Sequence, residues 1–547
     1  MKTHSFKTIL ILLIAGSSLF SCTDWLDVKP ESQIILENYW KSENDVQSVL
    51  MSCYKSLTTD ANVYRMIVWG ELRSDNLTTG SSFPNERFDM YKILTGDLTP
   101  NNAYAAWGSF YNVINYCNTV LYYAPYVVDR DNNFTIDDLH RVQAEAKAIR
   151  ALAYFYLVRS FRDVPFVTKA SIDDSQDYSI PKTDGHVILD SLISDLTFAR
   201  KYAISEFGSK SQNKGRFTLN GVNALLADIY LWQSSDKENF DDSKQKEYLN
   251  KCIETCDLVL ADTKLKLIEG SIMYSQVYSI KNSNESILEL QFEDEQQVNN
   301  PVNELYGYYG NILGELSFPT TLGYDYISKT ANANSPFGYS LTPTIIESRN
   351  DIRARDFLNV NIGRSTGKYY IFKYGGRIVY EGISSNNTIV LNYNYRTNTA
   401  NWIIYRLSDI YLMKAEALAQ FDEEEKLKNA VACANFTYTR SNETADSLNY
   451  TNYGTKAEVE KLILRERQRE LMFEGKRWFD LVRLARREMS INSLNNYVNH
   501  KSTGQTATST AQTLDAMYMP ISNSELEANP NLVQNPYYEQ GSGTSER

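Results

Sequence analysis

The chain has 547 residues, enough for a large buried core or two to four domain-sized units, and its 43% hydrophobic and 22% charged residues are ordinary for a globular protein. A net charge of −12 and the lack of a basic run on any helix face, one stretch near residue 465 aside, argue against a nucleic-acid binder. Such proteins depend on Lys and Arg to neutralise phosphate.

The first 21 residues read as an export signal. Lys2 and Lys7 give a positive start, and Ile9 to Ala15 form an apolar stretch too short to remain as a membrane-spanning helix. Leu19-Phe20-Ser21-Cys22 then resembles a bacterial lipobox with Cys22 as the acylated residue, although Phe20 replaces the small residue usual there. Acylation on more than one chain gives stable anchoring, so the expected mature protein hangs from a membrane without crossing it. The five later cysteines, Cys53, Cys117, Cys252, Cys256 and Cys433, are odd in number and show no zinc spacing. Cys252 and Cys256 are read as small buried hydrophobes on one helix face.

Helical periodicity dominates the next stretch. From Asp138 to Arg162, the residues Val142, Ala146, Ile149, Ala153 and Tyr156 recur at spacings of three and four, with Asp137 or Asp138 to cap the start and Pro165 beyond the end. Further helices are expected near 38–57, 103–124, 187–204, 218–235, 246–261, 403–420 and 456–487. The pairs 103–124 with 139–163 and 187–204 with 218–235 suggest tetratricopeptide-like stacking, and a third pair begins at 246–261. The fold class is therefore mainly α, with a helical scaffold over about 38–262 and 401–490.

The intervening 264–400 has another texture. Glu285 to Phe292 alternates apolar and polar residues and reads as a short strand. Glycine, asparagine and tyrosine then accumulate around Tyr306, Tyr308, Tyr309, Tyr324, Phe337 and Tyr339, in the kind of loop that carries binding residues on a rigid scaffold. Tyrosine is in excess along the whole chain, 39 against 22 Phe and 7 Trp, and its half-polar ring suits packing and sugar platforms alike. The tail, 491–547, is rich in Asn, Ser and Thr and is expected to be extended.

Eight stretches in order resemble the RagB/SusD family. Asp24-Trp25-Leu26-Asp27-Val28-Lys29-Pro30 follows the lipobox cysteine. Next come Trp107 to Asn118, Ala144 to Phe155, and Gly215-Arg216-Phe217 through Leu231. Asp351-Ile352-Arg353, Arg406 to Ala417, Arg465 to Leu481, and Pro520-Ile521 through Asn535-Pro536 complete the series. The resemblance spans residues 22 to 536 and is strongest at Arg465–Leu481. It implies one domain over 22–547, built from four tetratricopeptide-like units with a loop-rich ligand face over 264–400. It also implies anchoring in the outer membrane, at the cell surface, and a SusC-like TonB-dependent transporter as partner. The implied function is capture of a glycan without catalysis. Some relatives serve peptide transporters, so a peptide is the alternative ligand; a glycoside hydrolase is a distant third.

The Arg465–Leu481 motif has a structural reading of its own. Val459, Leu462, Ile463 and Phe473 supply an apolar stripe, and Glu466 and Glu470 stand among Arg465, Arg467 and Arg469. A partly buried ion network with neighbouring helices is expected, with Arg150 and Arg406 as candidate members.

Catalytic patterns are sparse. His4, His140, His186 and His500 stand apart from one another, so no metal spacing arises and neither metal nor cofactor is expected. No Gly-x-Ser-x-Gly elbow occurs, and Gly363 to Lys368 is one residue short of a phosphate loop, with Tyr369 in place of Ser or Thr. Two facing carboxylates would suffice for a glycosidase, and 67 acids leave that possibility to be weighed by the resemblance alone. In the family the ligand face draws on the loop before the Trp107 helix and on the long insertion. This implies Arg73, Asp75, Asn76, Asn101, Asn102 and Tyr104 as polar contacts, and Tyr306, Tyr308, Tyr309 and Tyr324 as stacking residues. Trp107 itself is read as core.

Overall fold

The computed structural model describes residues 39–539 except 81–86, 173–175, 271–272, 293–300, 307, 310–311, 314, 326–329, 342–346, 348–349, 360–368, 375–376, 384, 386–388, 396–399, 443–444 and 502–510. The signal segment, Cys22 and the Gly363–Lys368 stretch lie outside the described residues.

Helices dominate: α1 (Glu43–Leu57), α2 (Asp60–Ile67), α3 (Phe88–Thr95), α4 (Gly108–Val127), α5 (Ile136–Phe161), α6 (Gly185–Tyr202), α7 (Leu219–Ser234), α8 (Asp242–Leu260), α9 (Leu407–Ala419), α10 (Glu424–Ser441), α11 (Lys456–Leu471), α12 (Arg477–Glu488) and α13 (Asn492–Asn499). α5 shows why they form where they do. The Thr135 hydroxyl accepts from the Asp138 N–H (3.2 Å) and the Asp138 carboxylate accepts from the Thr135 N–H (3.1 Å), closing a capping box one turn ahead of the apolar stripe. The helix ends at Arg162, whose φ of +67° turns the chain toward Pro165.

Packing runs in succession. α1 lies on α4, α4 on α5, α5 on α6, α6 on α7, α7 on α8, α8 on α9, and α9 and α10 close on α11. Both expected pairs, α4 with α5 and α6 with α7, are in contact, and the succession is compatible with tetratricopeptide-like units. One large apolar core runs through this stack, and a smaller cluster sits between α9, α10 and α11. Cys53, Cys117, Cys252, Cys256 and Cys433 are buried free thiols within these cores.

The strand expected at 285–292 spans Ser286–Leu290 and pairs antiparallel with Trp402–Arg406, so the two ends of the insertion are stitched together beside α9. Three expectations need revision. The single helix expected over 456–487 is two, α11 and α12, broken at residues 472–476. There Gly475 adopts φ +67° and Phe473 φ +70°, and the buried Glu71 carboxylate accepts the N–H groups of Phe473 (3.0 Å) and Lys476 (3.2 Å). α10 was not foreseen. The tail is partly helical, since α13 and the turn Asn523–Ala528 lie within it.

The motif between 465 and 481 forms the expected ion network. Glu470 accepts from Arg406 (2.7 Å), Arg440 (2.6 Å), Arg353 (2.9 Å) and the Tyr274 hydroxyl (3.0 Å), all buried. Glu285 accepts from Arg406 (2.8 Å) and Arg440 (2.6 Å), which ties the strand to the helices. A second group joins Arg467 to Asp480 (2.8 Å) and Arg483 to Glu416 (2.6 Å). Arg406 is a member, but Arg150 is not. It pairs with Asp195 on α6 (2.5 Å) and Asn118 on α4 (2.7 Å), the two helices that flank its own α5 in the succession.

Candidate functional site

α3 is a short helix with two characters. Met90, Ile93 and Leu94 face the core, while Phe88, Tyr91 and Lys92 lie on the outer side. Phe88 and Tyr91, three residues apart, hold their rings nearly parallel (15°) with centroids 6.4 Å apart, and are 57% and 39% exposed. The Lys92 ammonium sits 4.9 Å from the Phe88 ring centre. Gly96, at φ +78°, ends the helix in a left-handed cap, with the Asp97 N–H donating to the Lys92 carbonyl (2.8 Å). The helix is tied down from behind. Asn102 donates to the Asp89 carbonyl (2.9 Å), and the Asp89 carboxylate accepts from the Ala103 N–H (2.9 Å).

Arg87, immediately before α3, is the hub of this face. Its guanidinium lies 4.7 Å from the Tyr64 ring centre and its Nη2 donates to the Tyr64 hydroxyl (2.9 Å). It also pairs with Glu304, and with Glu315 through Nε at 2.9 Å. Tyr64 in turn donates its hydroxyl to Glu304; burial, with the Glu304 carboxylate beside it, raises the Tyr64 phenol well above its ordinary range. Glu304 belongs to the short helix Pro301–Tyr306 and Glu315 precedes the strand Leu316–Phe318. Between them lies a hairpin in which Tyr308 pairs with Leu313 and Tyr309 with Ile312. One arginine therefore fastens both ends of the aromatic hairpin to the base of the Phe88–Tyr91 helix.

The residues proposed from sequence separate into groups. Tyr308 and Tyr309 lie on that hairpin; their side chains are outside the described residues. Asn101 is exposed and its carboxamide oxygen accepts from Asn523 (2.7 Å). Tyr104 is half-buried beside Arg65 and Arg87, and burial raises its phenol. The remainder are corrections. Tyr306 stacks on Tyr374 (5.8 Å, 17°) and is fully buried, and Tyr324 is fully buried against Phe337 (6.3 Å), so neither offers a face to a ligand. Asp75 is buried under Arg477 (2.8 Å), Asn76 donates to Glu71 (2.7 Å) and accepts from Gln468 (2.9 Å), and Asn102 caps a turn and is buried. Their hydrogen-bonding capacity goes to the protein itself. Arg73 leaves the hairpin face as well; it lies over Trp478 beside the C-terminal segment.

Sequence reasoning passed over Arg87, Phe88 and Tyr91. The signal was present as aromatics at i and i+3 opposite Met90, Ile93 and Leu94, with Gly96 as a stop. Chemically, exposed parallel rings offer apolar faces to the C–H face of a sugar ring. Among the described residues no group of three or more His, Cys, Asp and Glu could hold a metal ion, and no helix is long and apolar enough to cross a membrane.

Comparison with known proteins places the chain among proteins of one architecture. A family model described as "SusD family" matches residues 347–538, and another described as "Starch-binding associating with outer membrane" matches residues 24–231. The chain is 25% identical over 505 residues to a SusD-like protein, P38, of Formosa agariphila, covering 88% of this chain and 92% of that one. It is 25% identical over 508 residues to a SusD-like protein of Bacteroides ovatus, covering 87% and 82%. A SusD superfamily crystal structure from Bacteroides vulgatus superposes with a TM-score of 0.67 at 20% identity, covering 91% of this chain and 99% of that chain. A SusD homolog from Bacteroides thetaiotaomicron superposes at 0.66 and 21%, covering 91% and 100%.

Proposed function

Since the chain belongs to the SusD/RagB family, we propose that it is a cell-surface glycan-binding lipoprotein, anchored through Cys22 in the outer membrane, that passes its ligand to a SusC-like TonB-dependent transporter. It captures and releases; it does not hydrolyse. The description of the model matched by residues 24–231, starch-binding and associated with the outer membrane, supports both the ligand class and the location. The observation that carries the reading is the exposed, parallel Phe88–Tyr91 pair, with the Tyr308–Tyr309 hairpin fastened beside it through Arg87.

Two such rings each contribute roughly 0.5–1.5 kcal/mol beyond buried area. With the apolar area they bury, and less ordering costs, this points to weak binding with a Kd of about millimolar, suited to a protein that must give up its cargo. A glycan array probed with the soluble chain beginning after Cys22, beside a peptide library, tests the proposal. Saturable binding to one glycan class is expected. Capture of peptides with silence on every glycan would overturn it in favour of a peptide-capturing protein of the same architecture.

A further inference from the structure

At the far end of α3 from Phe88, a cavity of about 250 Å³ lies between α3, α12, α13 and the C-terminal segment, with Gly96 and Asp97 exposed at its rim. Two cations line it. Arg73 holds its guanidinium 4.2 Å from the Trp478 ring centre and donates to the carbonyls of Met517 (2.6 Å) and Ala516. Lys501, 8% exposed, donates to the carbonyls of Ser74 (2.9 Å) and Leu72 (3.4 Å).

Carbonyl oxygens bear only partial charge, and among the described residues no carboxylate pairs with Arg73 or Lys501 within 4.0 Å. Asp75, the acid acting on Lys501, gives its oxygens to Arg477 at 2.8 and 2.9 Å and accepts a further bond from Gln468 (3.0 Å). Asp97 at the rim pairs with neither cation. Burial lowers the Lys501 ammonium to about 8, with Arg73 adding to the fall against Asp75. A desolvated charge is costly unless it is paired, and two like charges on one cavity raise that cost. An oxyanion entering the cavity would relieve it, with the Arg73 N–H groups not given to Met517 and Ala516 and the third Lys501 N–H as donors. The volume sits below the usual range for pockets that enclose a whole drug-sized ligand, so it suits one substituent-bearing ring.

We infer that this cavity receives the carboxylate or sulfate of an acidic sugar, in the same glycan whose neutral rings lie on Phe88 and Tyr91. The inference rests on the glycan reading above and narrows it to acidic glycans. Because α3 rises about 1.5 Å per residue, Gly96 at the cavity rim lies roughly 12 Å along the helix axis from Phe88 and roughly 8 Å from Tyr91, the length of about two sugar units.

The test is calorimetric titration of the soluble chain with glucuronate-, galacturonate- and sulfate-bearing oligosaccharides, each beside its carboxyl-reduced or desulfated counterpart, and with inorganic sulfate alone. An acidic form is expected to bind at least tenfold more tightly than its neutral counterpart. Arg73→Gln and Lys501→Met should erase that difference, Lys501→Arg should keep it, and Phe88→Ala should weaken both forms alike. Equal affinity for acidic and neutral forms overturns the inference and leaves the glycan reading standing. Silence toward every oligosaccharide overturns both. Sulfate alone binding as tightly as the acidic sugars overturns the sugar assignment. Should Lys501→Met not fold, the acidic-against-neutral comparison on the unaltered chain decides the matter.

Discussion

Arg87 Nε lies 2.9 Å from Glu315 Oε2, joining a residue before α3 to one in the insertion more than two hundred positions later. The same guanidinium reaches Glu304, so the aromatic hairpin between the two acids is held at both ends by one side chain. The pairs are partly exposed, and such pairs add little to global stability. Their consequence is positional. Arg87→Met should lower glycan affinity severalfold while shifting Tm by no more than a degree or two; a large fall in Tm with unchanged affinity would make the arginine a stability element only.

Exposed and buried aromatics should separate cleanly. Phe88→Ala and Tyr91→Ala each remove a ring that is exposed on the outer side of α3, so affinity should fall about three- to tenfold with Tm little changed. Tyr306→Ala empties a fully buried site against Tyr374 and should cost about 3–5 kcal/mol of stability, without a direct effect on ligand contact. Urea unfolding beside calorimetric binding on the three variants checks the contrast.

Glu470 accepts from three buried arginines. Glu470→Ala leaves the buried Arg406, Arg440 and Arg353 short of a counter-charge, and should destabilise by about 3–5 kcal/mol. Urea melts of the variant measure this; a loss under 1 kcal/mol would mean that the network tolerates a missing acid.

Acid should unfold the protein through the same network. Burial raises the Glu474 carboxyl, but Arg406 and Lys373 outweigh it and hold the group down to about 2. Glu347 is raised by burial and likewise held to about 2 by Arg465 and Arg469. Unfolded, both titrate near 4.5. The unfolded chain therefore takes up protons first as pH falls, so the stability they contribute is full above about 4.5 and drains away toward 2. Tm measured from pH 7 to 2.5 should fall steeply below about pH 4.5; a profile without that fall would falsify this assignment.

Cys22→Ala should release the protein from membranes. In fractionated cells, and under metabolic labelling with a palmitate analogue, the altered chain should be soluble and unlabelled, against a labelled, membrane-bound original. Membrane retention without label would point to another means of attachment.

How much of this was legible in the sequence follows from the range of the interactions involved. α5 announces itself because its capping residues and apolar stripe all lie within one segment, and helix formation depends on neighbours three and four positions away. The acids among the arginines at 465–470 could be read as a buried network for the same reason: charges interrupting an apolar stripe need partners. The break at Gly475 was hidden because its stabilising acceptor, Glu71, lies about four hundred residues earlier.

The sequence by itself determined that the chain is mainly helical, where most of its long helices lie, and which family order its motifs follow. Only the tertiary structure decided which aromatics meet water. Tyr306 and Tyr91 are alike as residues; one is sealed under Tyr374 and Phe473 while the other stands on the outer side of α3. Asp75 looked like a ligand contact until Arg477 closed over it. Exposure is set by packing between segments far apart in the chain, and that packing assembled the face at Phe88 and the cavity at Lys501.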